Sequence, residues 1–101
     1  MSDEFHLYVK LKALPGRSQE LSSALQSLSK ASLESGICLR FDVSQSVSDP
    51  AEFNLFESFE SKKIYPSHVA TDHAQHFLKV VVPSFVGERE VFYLQKTPFT
   101  N

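Results

Sequence analysis

Four side chains of this 101-residue chain have types and spacing suited to proton transfer: Glu57, Tyr65, His68 and His73. An ordinary histidine titrates near pH 6.5, so a positioned His68 can serve as a general base; otherwise it is a buried or helix-capping residue with a satisfied hydrogen bond. Tyr65 stands directly before Pro66, where it can steady a substrate oxygen or simply pack its ring and wet its hydroxyl. Glu57 alternates with Phe53, Leu55 and Phe59, and a carboxyl on an apolar strand face must be paired or hold its proton more tightly. It either orients a histidine or bonds Arg40 or a lysine across a sheet. Phe41, Phe59 and Phe77 supply rings for a planar pocket or for plain core packing.

His73 and His76 are three apart, which raises the question of a metal. Zinc requires three or four nitrogen or sulfur ligands with supporting partners. Cys38 and His6 show no ligand spacing and there is no His-Glu-x-x-His, so no metal is expected. Phosphate loops, dinucleotide fingerprints and Gly-x-Ser-x-Gly elbows are also missing, which leaves nucleotide cofactors and serine hydrolysis without support.

These residues need elements to position them. Phe5, Leu7, Val9, Leu11 and Ala13 alternate with polar neighbours, the period of a half-buried strand, and Pro15-Gly16 breaks it. Ser18 is the expected N-cap of a helix with Leu21, Ala24, Leu25, Leu28 and Ala31 on one face. Gly36 should stop that helix. A strand over 37–43 is expected to put Ile37, Leu39, Phe41 and Val43 on one side. After a Ser48-Asp49-Pro50 turn comes a strand over 52–59, in which Phe56 points away from Glu57. A helix then starts or bends at Pro66, and Thr71 or Asp72 caps another that carries Ala74, Phe77 and Val81 on one face and ends or kinks at Pro83. A last strand is expected over 91–96. The order β-α-β-β-α-β predicts an α+β, ferredoxin-like domain with an antiparallel sheet. Large apolar groups on both faces of the third and fourth strands predict a homodimer in which sheet packs on sheet.

Composition narrows the function classes. Hydrophobic residues make up 42% and charged residues 22%, values of an ordinary globular domain. A net charge of −2 disfavours a nucleic-acid binder, which usually shows a basic face. No apolar run approaches the roughly 20 residues of a membrane span. The acidic start Met1-Ser2-Asp3-Glu4 does not read as a secretory leader. One cysteine, Cys38, allows no internal disulfide and points to a cytoplasmic location.

Pro15-Gly16, the Gly36-x-x-x-Phe41-Asp42-Val43 run, Asp49-Pro50 and the Glu57-x-Phe59-Glu60-Ser61 run leading to His68 resemble, in order and spacing, the antibiotic biosynthesis monooxygenase family. The resemblance covers nearly the whole chain and implies a dimeric α+β barrel. Leu39-Arg40-Phe41-Asp42-Val43 with His68 and His73 is most similar to its quinol-oxygenase and signal-processing branches. The implied activity is oxidation of a small phenolic or quinol compound by dioxygen without a cofactor. The expected catalytic residues are His68, Tyr65 and Glu57, and Phe41, Phe59, His73 and Phe77 are expected to bind the substrate. Two other functions remain open. One is an isomerase or similar enzyme for a polar or phosphorylated metabolite, anchored by Arg40, Lys62 or Lys63. The other is a non-catalytic small-molecule-binding module, compatible with a chain that lacks tryptophan.

Overall fold

Residues 3–99 are described by the computed structural model. Strand β1 (Phe5–Ala13) leads into helix α1 (Ser18–Glu34), then the hairpin of β2 (Cys38–Gln45) and β3 (Glu52–Phe59). A 3-10 turn (Lys62–Ile64) introduces three short helices, α2 (Tyr65–Val69), α3 (Asp72–His76) and α4 (Val82–Phe85), with a π turn (Phe77–Val81) joining the last two; β4 (Val86–Gln95) follows. The strands form one antiparallel sheet ordered β2-β3-β1-β4, the expected ferredoxin-like α+β arrangement.

Strand β1 is central because its alternation is the cleanest. Phe5, Leu7, Val9, Leu11 and Ala13 are all buried. Its register against β3 sets Leu7 opposite Glu57, Val9 opposite Leu55 and Leu11 opposite Phe53. Glu57 therefore sits within the apolar row that faces the helices. From α1, Leu21, Leu25, Leu28 and Ser32 complete that core.

Local corrections follow from tertiary contacts and caps. Ser18 is the first helical residue, while Arg17 occupies the cap position and bonds Glu20 at 2.7 Å. Gly36 ends the helix at φ +76°, a backbone state costly for other residues. In β2, Cys38 pairs with Phe59 and Arg40 with Ser58, which leaves Leu39 as the extra residue of a bulge. The bulge shifts parity. Cys38 and Phe41 both turn inward, and Leu39 is 55% exposed instead of sharing their face. Burial pushes the Cys38 thiol up to about 11, which makes it inert.

The helical stretch resolves its own alternatives. Pro66 lies in the first turn of α2, where a missing N–H costs little. Thr71 caps α3, its Oγ1 accepting from the Ala74 N–H at 3.3 Å. Pro83 does not end the helical path, which runs on to Phe85. The carbonyl that its ring would strike belongs to Lys79, inside the π turn, where the wider coil makes room. Strand β4 begins five residues earlier than expected, at Val86 rather than 91, because pairing with β1 carries the charged Glu88-Arg89-Glu90 run into the sheet.

Candidate functional site

A cavity of about 70 Å³ lies between the inner face of the sheet and the helices. Leu7 and Val9 of β1, Leu55 and Glu57 of β3, Phe41 of β2, and Arg89 and Val91 of β4 form its floor. Tyr65, His68 and Val69 of α2 lie above, with Leu28, Ala74, Phe77 and Leu78. The lining is mostly apolar, with four polar side chains: Glu57, Tyr65, His68 and Arg89. That composition is typical of a small-molecule site.

His68 is brought to this cavity by the corner between α2 and α3. Its carbonyl accepts from the Thr71 N–H at 3.1 Å and from Thr71 Oγ1 at 2.7 Å. These bonds hold the corner closed and direct the imidazole downward. His68 and Glu57 are only 6% and 5% exposed. Nε2 of His68 lies 3.5 Å from Glu57 Oε1, a contact slightly long for a strong hydrogen bond. Nδ1 of the same ring is buried and has no hydrogen-bond partner among the described residues.

Burial pushes the Glu57 carboxyl up to about 7. Burial, then the neighbouring His73, pushes His68 down to about 4. Each group is driven toward its neutral form, as expected when charge leaves water. Tyr65 is also pushed up, by burial first and then by Tyr93, so its side chain is a hydroxyl and not a phenolate.

The residues expected from sequence fall into two groups. Phe41 and Phe77 line the cavity with Glu57, Tyr65 and His68. Phe59 is completely buried behind the wall, its ring centroid 4.9 Å from that of His68 and 5.3 Å from Tyr65. His73 stands 6.2 Å from His68, centroid to centroid. It opens on a second groove of about 440 Å³, between α1 and α3, together with Asp72 and His76. Among the described residues no three His, Cys, Asp or Glu side chains are grouped to hold a metal.

Arg40 is bonded to Asp42 on the exposed side of β2, and Lys62 and Lys63 are exposed in the 3-10 turn. None of the three lines the cavity. Arg89 does, and sequence reasoning missed it. Its signal was the two-residue spacing to Val91, hidden because a Glu-Arg-Glu run does not read as strand.

A search of curated protein sequences finds no match. Solved structures match closely in shape. A protein from Shewanella oneidensis superposes with a TM-score of 0.88 at 22% identity, covering 95% of this chain and 93% of that one. One from Pseudomonas aeruginosa gives 0.87 at 23%, covering 96% and 97%. A protein from Nitrosomonas europaea, named provisionally as an antibiotic biosynthesis monooxygenase, gives 0.86 at 20%, covering 100% and 97%. At these identities the likeness establishes the fold. The family profile described as antibiotic biosynthesis monooxygenase matches residues 4–80, a span that includes the Glu57–His68 pair. The chain belongs to the antibiotic biosynthesis monooxygenase family.

Proposed function

We propose that the protein oxidises a small phenolic or quinol compound with dioxygen, using no prosthetic group. The observation that carries this reading is the buried Glu57–His68 pair in an apolar cavity, with Nδ1 of His68 left without a partner. Ionised Glu57 keeps the imidazole proton on Nε2, so the Nδ1 lone pair is free to take the phenolic proton. The resulting imidazolium is held by the carboxylate 3.5 Å away. The phenolate gives one electron to dioxygen, and recombination of the two radicals forms a carbon–oxygen bond. Loss of water from the hydroperoxide then leaves one oxygen atom on the ring: hydroquinone and dioxygen become hydroxyquinone and water. Tyr65 contributes a hydroxyl to the substrate oxygen, and Phe41 and Phe77 hold the ring. His73 acts on the substrate only through His68, and Phe59 backs both site rings.

Size restricts the substrate. The cavity is about half the roughly 150 Å³ known to take benzene, so a single ring enters as lining side chains give way, and a fused polycycle does not fit. Oxygen uptake by metal-free protein with hydroquinones tests the reaction. His68→Ala should lose that uptake while remaining folded; an unchanged rate removes His68 from the mechanism.

We also propose that the protein is a cytoplasmic homodimer paired through the outer sheet face. There Tyr8 stacks on Phe56 at 5.0 Å and on Phe92 at 5.6 Å, with Phe56 46% and Phe92 44% exposed. A contiguous apolar patch of this kind is a common contact surface. Light scattering should give twice the 11.4 kDa chain mass, and Phe92→Glu should give the single chain. A parent protein of single-chain mass refutes the pairing.

A further inference from the structure

We propose that Arg89 anchors a carboxylate on the aromatic substrate, so that the cavity takes a single-ring aromatic acid in preference to a neutral quinol. This rests on the reading of the cavity as the oxidation site. Arg89 is the one cation among the residues that line it. Ion pairs occupy Arg17, Arg40, Lys10, Lys12 and Lys96, whereas no carboxylate among the described residues lies within ion-pair distance of Arg89. Glu57 lines the same cavity but is not paired with it.

Register fixes where the two polar ends stand. Glu57 lies opposite Leu7 on one side of β1, and Arg89 lies opposite Leu11 on the other. Four residues along the strands and two strand spacings across separate their Cα atoms by roughly 16 Å. Both residues line the cavity from those positions, so its proton acceptor and its cation stand at opposite ends. A ring whose hydroxyl meets His68 thus directs its far substituent toward Arg89. A guanidinium there pairs two parallel N–H donors with a planar carboxylate, a geometry that a lysine does not reproduce. Arg89 is exposed at its position on the edge strand, so it can meet an incoming anion before the ring is buried.

The test is anaerobic binding, which needs no turnover. Titration calorimetry should find 2,5-dihydroxybenzoate bound about tenfold or more tightly than hydroquinone, the scale of one charge-assisted contact. In Arg89→Gln that preference should vanish, and a urea unfolding midpoint matching that of the parent reports an intact fold. Arg89→Lys should restore only part of it. Equal binding of the two compounds by the parent protein, or a preference that survives Arg89→Gln, overturns the proposal. So does phenyl phosphate binding more tightly than the carboxylate. Failure of the oxidation reading looks different: the Arg89-dependent preference persists, but no oxygen is consumed with either compound.

Discussion

Replacing Glu57 with Gln should expose a pH dependence of stability that the native pair conceals. Glu57 is shifted from 4.5 up to about 7 and His68 from 6.5 down to about 4. Glu57 holds its proton more tightly folded than unfolded, so its contribution to stability declines as pH rises from 4.5 toward 7. His68 holds its proton less tightly when folded, so its contribution declines as pH falls from 6.5 toward 4. At about 1.4 kcal/mol per pKa unit, each group changes stability by about 2 kcal/mol between pH 4.5 and 6.5, in opposite directions. The two nearly cancel in the parent protein.

Glu57→Gln removes one of them. Relative to the parent, the variant should lose about 2 kcal/mol between pH 6.5 and 4.5. His68→Gln should gain a similar amount over the same interval. Urea unfolding at half-unit pH steps and fixed protein concentration measures this, because the variant-minus-parent difference removes every other titrating group. A His68 that kept its proton in the buried site without Glu57 would instead give a constant difference across the window. A flat difference, or one of opposite slope, therefore refutes a His68 held neutral by burial.

The same pair makes a kinetic prediction. If ionised Glu57 sets the His68 tautomer, kcat/KM for quinol oxidation should climb with pH and level off above about 7; Glu57→Gln should be slow and lack that limb in a pH–rate profile. Phe59→Ala removes a ring at 0% exposure that backs both His68 and Tyr65. It should cost about 3–5 kcal/mol in denaturant unfolding, and a loss below 1 kcal/mol would show that the wall collapses without strain. Gly36→Ala adds a methyl that meets nothing within 4 Å, but at φ +76°. It should cost about 1 kcal/mol from backbone conformation alone, read from the same unfolding curves.

The fold was legible in the sequence because its signals are local. The strict alternation from Phe5 to Ala13, Gly36 at the helix end, and Glu57 sharing a face with Phe53 and Leu55 each depend on near neighbours along the chain. The same holds for Pro66 at the start of α2. The site was legible only in part. Glu57 and His68 belong to a strand and a helix eleven residues apart in sequence, and only closure of the α2–α3 corner over the sheet brings them to 3.5 Å. The bulge at Leu39 and the early start of β4 came from pairing with neighbouring strands, which outweighs intrinsic preference in a sheet. Arg89 shows this most plainly. Flanked by two glutamates it looks like solvent-exposed loop, and only hydrogen bonding to β1 gives it the inward parity that adds a guanidinium to the mostly apolar lining of the cavity.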